Sequence, residues 1–318
     1  GFINCYLSTT KLNQFIRETA QNLGFSKIGI APAKPDPLSK KQLTIWLGKD
    51  YHATMRWMEK RSNERENIHN YFPEVKSVIS LALNYFTGTA SNMEDVGKIS
   101  NYAWGDDYHE LIKPKLTKLL DEIKSIQSSI NGVVCVDTSP IMEKSWAQKA
   151  GLGWIGKHTN LITRNFGSWV FLGEILLDIE LEYDNPFAED LCGTCTACLD
   201  ACPTEAFPEP YVLDSSKCIS YLTIEHRGDL PVEMEDKLSG WVYGCDICQE
   251  VCPWNIKFSQ NSQEESFQPR TNLKERTLTE WSQLSEEEFR TLFKGSAVKR
   301  TKYEGLKRNI DLARKSLR

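Results

Sequence analysis

Eight of the ten cysteines in this 318-residue chain fall into two related runs. The first is Cys192-x2-Cys195-x2-Cys198-x3-Cys202-Pro203. The second is Cys218 followed by Cys245-x2-Cys248-x3-Cys252-Pro253, the same run with its leading cysteine displaced by an insertion. At this spacing three thiolates wrap one iron–sulfur cubane, and the cysteine before proline reaches a second one. Thiolate is a soft ligand that suits such clusters. The pseudo-twofold rule predicts crossed ligation. Cys192, Cys195, Cys198 and Cys252 then hold one 4Fe-4S cluster, and Cys202, Cys218, Cys245 and Cys248 hold the other. Zinc favours paired CxxC units with four ligands per site, not this longer run repeated twice. Disulfides need an oxidising compartment. The N-terminal Gly-Phe-Ile-Asn-Cys shows no basic n-region, twin arginine or cleavage site, so no export signal is expected and a cytoplasmic location is. Cys135 reads as a small core residue and Cys5 as incidental.

Two clusters make an electron wire, but the insert of 190–255 that carries them is preceded by a long segment of ordinary folding composition. Apolar residues are 40% and charged residues 25%, which excludes wholesale disorder. No apolar run is long enough to span a bilayer. Charge is uneven. Residues 180–252 carry 16 acids against 3 bases, whereas 294–318 carry 9 bases against 2 acids. A basic tail on an acidic chain points to a polyanionic partner or to a solvated helix face.

Hydrophobic spacing predicts helices over 9–23, 38–60 and 107–126, and buried strands at 25–31, 75–86, 133–137 and 168–179. Pro114 fits best in a first helical turn, so the regular part of the third helix is expected to begin near it. This alternation implies an α/β domain with a layered sheet. Its end is placed at Asp184–Pro186. The expected units are 1–183, a cluster module at 184–258, and a helical segment at 259–318 with Leu306, Ile310, Ala313 and Leu317 as one stripe.

No GxGxxG follows the first strand and no GxxxxGK[ST] occurs, so dinucleotide and P-loop readings are weak. Asp137 stands at the end of a predicted strand, where open α/β sheets place ligands. A buried acid there serves as a proton donor; an Asx-turn before Pro140 is the plainer alternative. Val134, Val136 and Pro140 suggest an apolar setting. Gly151, Gly153 and Gly156 either admit a large ligand close to the backbone or make a tight turn. A first domain this large in front of an electron wire points to a reductase, rather than a non-catalytic electron carrier.

Four segments together resemble the epoxyqueuosine reductases, from about Phe15 onward. They are Asp137-Thr-Ser-Pro, Ala-Gly-Leu-Gly-Trp-Ile-Gly-Lys at 150–157, Leu-Gly-Glu-Ile at 172–175, and Gly-Cys-Asp-Ile-Cys-Gln-Glu-Val-Cys-Pro-Trp-Asn at 244–255. The resemblance implies a flavin-reductase-like (nitroreductase-like) α/β domain that binds cobalamin, a bacterial two-cluster ferredoxin module, and a short helical C-terminal segment, the possible start of a HEAT-like domain. It implies reduction of the epoxide of epoxyqueuosine at the wobble position of a tRNA anticodon. It also implies an external electron donor of flavodoxin or ferredoxin type, no membrane partner, and a monomer. Asp137 takes the family's proton-donor position. Arg61, Asn101, Asp137, Thr138, Lys157, Leu161, Ser220 and His226 are the expected cobalamin contacts. His109, in Gly-Asp-Asp-Tyr-His, reads as a structural histidine. Reductive dehalogenases share the cofactor plan, so dehalogenation of a small organohalide is the alternative activity. In the basic tail, Lys299, Arg300, Lys302, Lys307 and Arg308 are the expected phosphate contacts.

Overall fold

The computed structural model describes residues 7–317, so Cys5 lies outside the described residues. Helix α1 (Thr9–Asn22) begins at Ser8, whose hydroxyl accepts the Lys11 N–H, and strand β1 (Lys27–Pro32) follows. The helix expected over 38–60 is two shorter ones, α2 (Pro37–Gly48) and α3 (Trp57–Lys60), with α4 (Ser62–Glu66) following them. Asp50 and Ala53 adopt left-handed backbone (φ 54° and 51°), through which a right-handed helix cannot run. Next come β2 (Ser77–Asn84), β3 (Lys98–Ile99), α5 (Tyr108–Ile126) and β4 (Gly132–Cys135).

Asp107 caps α5 by accepting the His109 N–H, so the helix starts a turn and a half before Pro114 rather than at it. The cost is small because Pro114 and Glu110, whose carbonyl loses its donor, both face solvent. Helix α6 (Glu143–Lys149), the hairpin β5 (Trp154–Ile155) and β6 (Leu161–Ile162), and β7 (Val170–Leu177) complete this part.

The sheet order is β1-β2-β7-β4, and every pairing is antiparallel. The layered α/β reading holds, but the carboxyl-end rule belongs to parallel sheets and does not explain Asp137. On one face, Leu12 and Ile16 of α1 and Ile112, Leu116 and Ile123 of α5 pack against Ile79, Leu81 and Ile175. On the other, Trp146 and Ala147 of α6 pack against Val78, Ala82 and Leu176. With both faces covered, β2 is buried at every position, and its run Val-Ile-Ser-Leu-Ala-Leu is apolar rather than alternating.

The cysteine insert holds α7 (Ala197–Asp200), α8 (Ile219–Ile224), β8 (Trp241–Tyr243), α9 (Ile247–Glu250) and α10 (Pro253–Phe258). Helices α11 (Leu278–Ser282), α12 (Glu286–Leu292) and α13 (Lys302–Lys315) follow, the first two opened by capping boxes. Strand β8 pairs in parallel with β3, so the insert is stitched to the first segment. Leu306, Ile310 and Ala313 of α13 bury against Ile99, Val242 and Tyr243. Leu317 lies beyond the end of α13 and is exposed, so it does not extend that stripe.

Candidate active site and cluster sites

Crossing of the two cysteine runs brings eight thiols into two groups. Cys192, Cys195, Cys198 and Cys252 line one cavity of about 130 Å³, closed by Ile162, Pro253 and Trp254. Cys202, Cys218, Cys245 and Cys248 line a second cavity of about 320 Å³. Burial first, and then the crowding of neighbouring cysteines, pushes the Cys198 thiol up to about 11 and those of Cys245 and Cys248 well up. Four thiols this close do not ionise together without a cation between them, and iron supplies that charge. Polar hydrogens already point at the sulfurs. Trp154 Nε1 donates to Cys192 Sγ at 3.5 Å and Ala206 N–H to Cys202 Sγ at 3.4 Å.

The 320 Å³ cavity extends over Leu161 of β6 and Val170 and Leu172 of β7 and meets a larger one of about 770 Å³. Lys144 and Thr159 line both. Lys144 Nζ fixes that junction, donating to Thr159 O at 3.0 Å and Asn160 Oδ1 at 3.1 Å. Trp46, Trp57, Ile155 and Tyr211 wall the larger space, and Asp137 lies on its edge.

Asp137 follows β4 in a left-handed conformation (φ 48°), rare for a residue with a Cβ. A three-residue turn surrounds it, closed by Thr138 N–H donating to Val136 O at 2.5 Å. Its own N–H donates to Glu143 Oε1 at 2.8 Å. Behind Glu143 lies Glu174, fully buried on β7 opposite Cys135. The two carboxyls are within hydrogen-bonding reach, and Ser80 Oγ donates to Glu174 at 3.4 Å. Burial and the Asp137 charge push Glu143 up to about 7, and burial pushes Glu174 well above the carboxylate range, so the pair retains a proton.

The apolar setting expected for Asp137 is absent. Its side chain is 54% exposed and hydrogen-bonds His109 Nε2 at 3.0 Å. His109 Nδ1 in turn meets Asp107 Oδ1 at 2.7 Å. Burial disfavours charge on His109, but the hydrogen bonds to Asp107 and Asp137 outweigh it and push its pKa up to about 9. His109 therefore bridges two carboxylates that favour its charged form, a structural link that also places it beside Asp137. Sequence reasoning also misses Asp107, Glu143 and Glu174. The local signal for Asp107 is Asp107-Tyr-His109, an N-cap residue with a histidine two positions on, and Glu174 lies in the Leu-Gly-Glu-Ile segment at 172–175.

The expected cofactor contacts separate. Leu161 and Ser220 line the cluster-side cavity and Asp137 the larger one. Thr138 faces an open groove with Asp107 and His109 on the far side of the turn. Lys157 reaches the other cluster site, donating to Gly193 O at 2.6 Å and Cys195 O at 2.8 Å. Arg61 pairs with Glu64 at 3.0 Å. Asn101 is buried, its N–H on Asp246 Oδ2 at 2.7 Å, and His226 Nε2 meets Asp229 O at 2.7 Å. Gly153 abuts the Ile162 carbonyl and Gly156 the Ile162 side chain, so these glycines serve close packing against β6 rather than ligand approach.

Two family models match the chain. One, described as 4Fe-4S double cluster binding domain, covers residues 191–255. The other, described as Epoxyqueuosine reductase QueG, DUF1730, covers residues 65–138. A relative from Cellulophaga algicola named epoxyqueuosine reductase is 44% identical over 301 residues, which is 95% of this chain and 97% of that protein. The chain belongs to the epoxyqueuosine reductase family. Another epoxyqueuosine reductase, from Leadbetterella byssophila, is 46% identical over 295 residues, 93% of this chain and 96% of that protein. A crystal structure of epoxyqueuosine reductase with a tRNA-Tyr epoxyqueuosine-modified tRNA stem loop matches with a TM-score of 0.89 and 30% identity, over 97% of this chain and 82% of that one. Membership makes the chain an oxidoreductase with a double 4Fe-4S cluster domain. Among the described residues no helix is long and apolar enough to cross a membrane.

Proposed function

We propose that this chain reduces the epoxide of epoxyqueuosine in a tRNA anticodon to the alkene of queuosine, using cobalamin and two 4Fe-4S clusters. The reaction takes up two electrons and two protons, opens both C–O bonds of the epoxide, and releases its oxygen as water. The observation that carries the reading is Asp137, backed by His109, at the edge of a large cavity that adjoins four cluster cysteines.

Crossed ligation assigns Cys192, Cys195, Cys198 and Cys252 to the outer cluster and Cys202, Cys218, Cys245 and Cys248 to the inner one. The loop of the outer group carries the exposed Gly193, Thr194 and Thr196 between its cysteines, a suitable entry for electrons from a flavodoxin- or ferredoxin-type donor. The adjoining cavities of about 320 and 770 Å³ suit a large planar group, and Leu161, Ser220, Lys144, Thr159 and Asp137 would hold cobalamin there. When bound, cobalamin supplies low-potential electrons at the substrate carbon or oxygen. This division corresponds to a flavin-reductase-like domain at 1–183, the cluster module at 184–258 and the helical segment at 259–318, acting as a cytoplasmic monomer on tRNA.

The departing epoxide oxygen needs a proton, because alkoxide leaves poorly. The His109 imidazolium holds that proton on Nε2, in its hydrogen bond to the Asp137 carboxylate, and Asp137 at the cavity edge passes it to the departing oxygen. Asp107 keeps the ring oriented and its charge stabilised. Glu143 holds the Asp137 backbone, so the carboxyl stays beside His109 and the cavity.

The test is turnover of epoxyqueuosine-containing tRNA by anaerobically reconstituted protein, with and without cobalamin, read by mass spectrometry of the nucleosides. Asp137→Asn is expected to bind cobalamin, keep both clusters and lose on the order of 10²–10⁴-fold in rate. Turnover without cobalamin, or an unimpaired Asp137→Asn, overturns the assignment.

A further inference from the structure

His158 lies between the two cysteine groups. It lines both the cavity of Cys192, Cys195, Cys198 and Cys252 and the cavity of Cys202, Cys218, Cys245 and Cys248. Its residue exposure is 3%, and Nε2 has no hydrogen-bond partner among the described residues. An orphaned polar atom in such a place is costly unless something absent from the protein atoms satisfies it.

The other ring nitrogen settles what Nε2 offers. Asn160 N–H donates to His158 Nδ1 at 3.2 Å. A nitrogen that accepts cannot carry a hydrogen, so the neutral ring bears its single hydrogen on Nε2. The unpartnered atom is therefore a donor. Its seat is built. A Cβ on Gly156 would lie 3.3 Å from His158 Cε1, so a side chain there would press on the ring. The walls around it offer sulfur: eight cysteines in the two cavities it borders, with Trp154 and Ala206 already donating to two of those sulfurs.

We infer that His158 is a redox-tuning residue whose Nε2–H donates a hydrogen bond to a sulfur of one of the two iron–sulfur clusters. The proposal rests on the two-cluster reading above. A hydrogen bond to cluster sulfur offsets the negative charge gained on reduction, so it raises that cluster's potential. Placed between the clusters, His158 sets the step in potential along the wire, and hence the direction in which electrons settle. No proton is transferred and no bond is broken.

The experiment is an EPR-monitored redox titration of reconstituted full-length protein, wild type against His158→Leu and His158→Gln. Iron content near eight atoms per chain in the wild type establishes the clusters; a lower value defeats the two-cluster reading and not this inference alone. With iron retained, His158→Leu is expected to lower one midpoint by about a tenfold change in the one-electron equilibrium, ~59 mV, and to leave the other in place. His158→Gln, which keeps an N–H donor, is expected to recover part of the shift. Unchanged midpoints in His158→Leu overturn the proposal. Should the variants lose iron, pulsed EPR on reduced wild type decides. Labelling histidine with 15N is expected to change a nitrogen coupling to a cluster, and a spectrum without isotope-sensitive nitrogen overturns it.

Discussion

His109 Nε2 and Asp137 Oδ2 lie 3.0 Å apart, joining the first turn of α5 to the turn after β4. Asp107 holds the opposite ring nitrogen, so one imidazole links two acids from separate parts of the chain. In the proposed reaction the pair, rather than Asp137 alone, is the acid.

That relation sets a pH dependence. His109 is raised from 6.5 to about 9, chiefly by Asp107 and Asp137 acting against burial. A raised folded-state value means that the charged form stabilises the fold fully below about 6.5 and that this contribution is lost as pH rises through about 9. Turnover is expected to decline over the same upper range. In His109→Gln the rate is expected to be lower and to lack that alkaline limb. A His109→Gln profile that keeps the wild-type limb removes the histidine from proton supply.

The cluster assignment makes an asymmetric prediction. Cys252 shares a cavity with Cys192, Cys195 and Cys198 and not with its sequence neighbours Cys245 and Cys248. Cys252→Ala is expected to damage the EPR signal of the first group's cluster and spare the second. Loss of the second signal with the first intact contradicts the crossing.

Glu174 and Glu143 predict a stability gain by charge removal. Burial raises both above ordinary carboxylate values, so their contribution is lost as pH climbs, for Glu143 through about 7. Glu174→Gln keeps a donor for Glu143 and cannot ionise. Its melting temperature is expected to exceed the wild type's above neutral pH by a few degrees, about 1 kcal/mol, and to converge with it in acid. Equal melting temperatures at high pH indicate that the wild-type pair is not strained by ionisation.

The basic tail divides into two classes. Arg300 pairs with Glu225 at 3.0 Å, and Lys307 donates to Ser282 O at 2.8 Å. Arg308 ties α13 to the Leu222, His226 and Gly228 carbonyls. Lys299 and Lys302 are exposed and make no such backbone ties, although Lys299 Nζ lies 4.0 Å from Asp107 Oδ2. Arg308→Ala is expected to cost about 1.5–3 kcal/mol of stability, since charged hydrogen bonds are removed, without changing the salt slope of tRNA binding. Lys299→Glu with Lys302→Glu is expected to weaken tRNA binding and reduce that slope by about one for each phosphate no longer neutralised. An unaltered slope in the double variant takes the tail out of the tRNA surface.

The sequence by itself determined the chemistry that depends on local spacing. Cysteines at fixed intervals before proline specify cubane ligands, and apolar periodicity specifies α1, α5, β2 and β7, because both signals act over a few residues. Asp137 was legible through its motif. Its environment was not, since the His109 contact spans 28 positions and the Glu174 contact depends on which strand lies beside β4. The antiparallel sheet was equally hidden. Helix–strand alternation fixes layers but not strand direction, which packing across β2 and β7 decides. Tertiary structure also decided the fate of the tail. Charge along a helix tells nothing of whether an arginine meets water or, like Arg308, a carbonyl brought from 80 residues away.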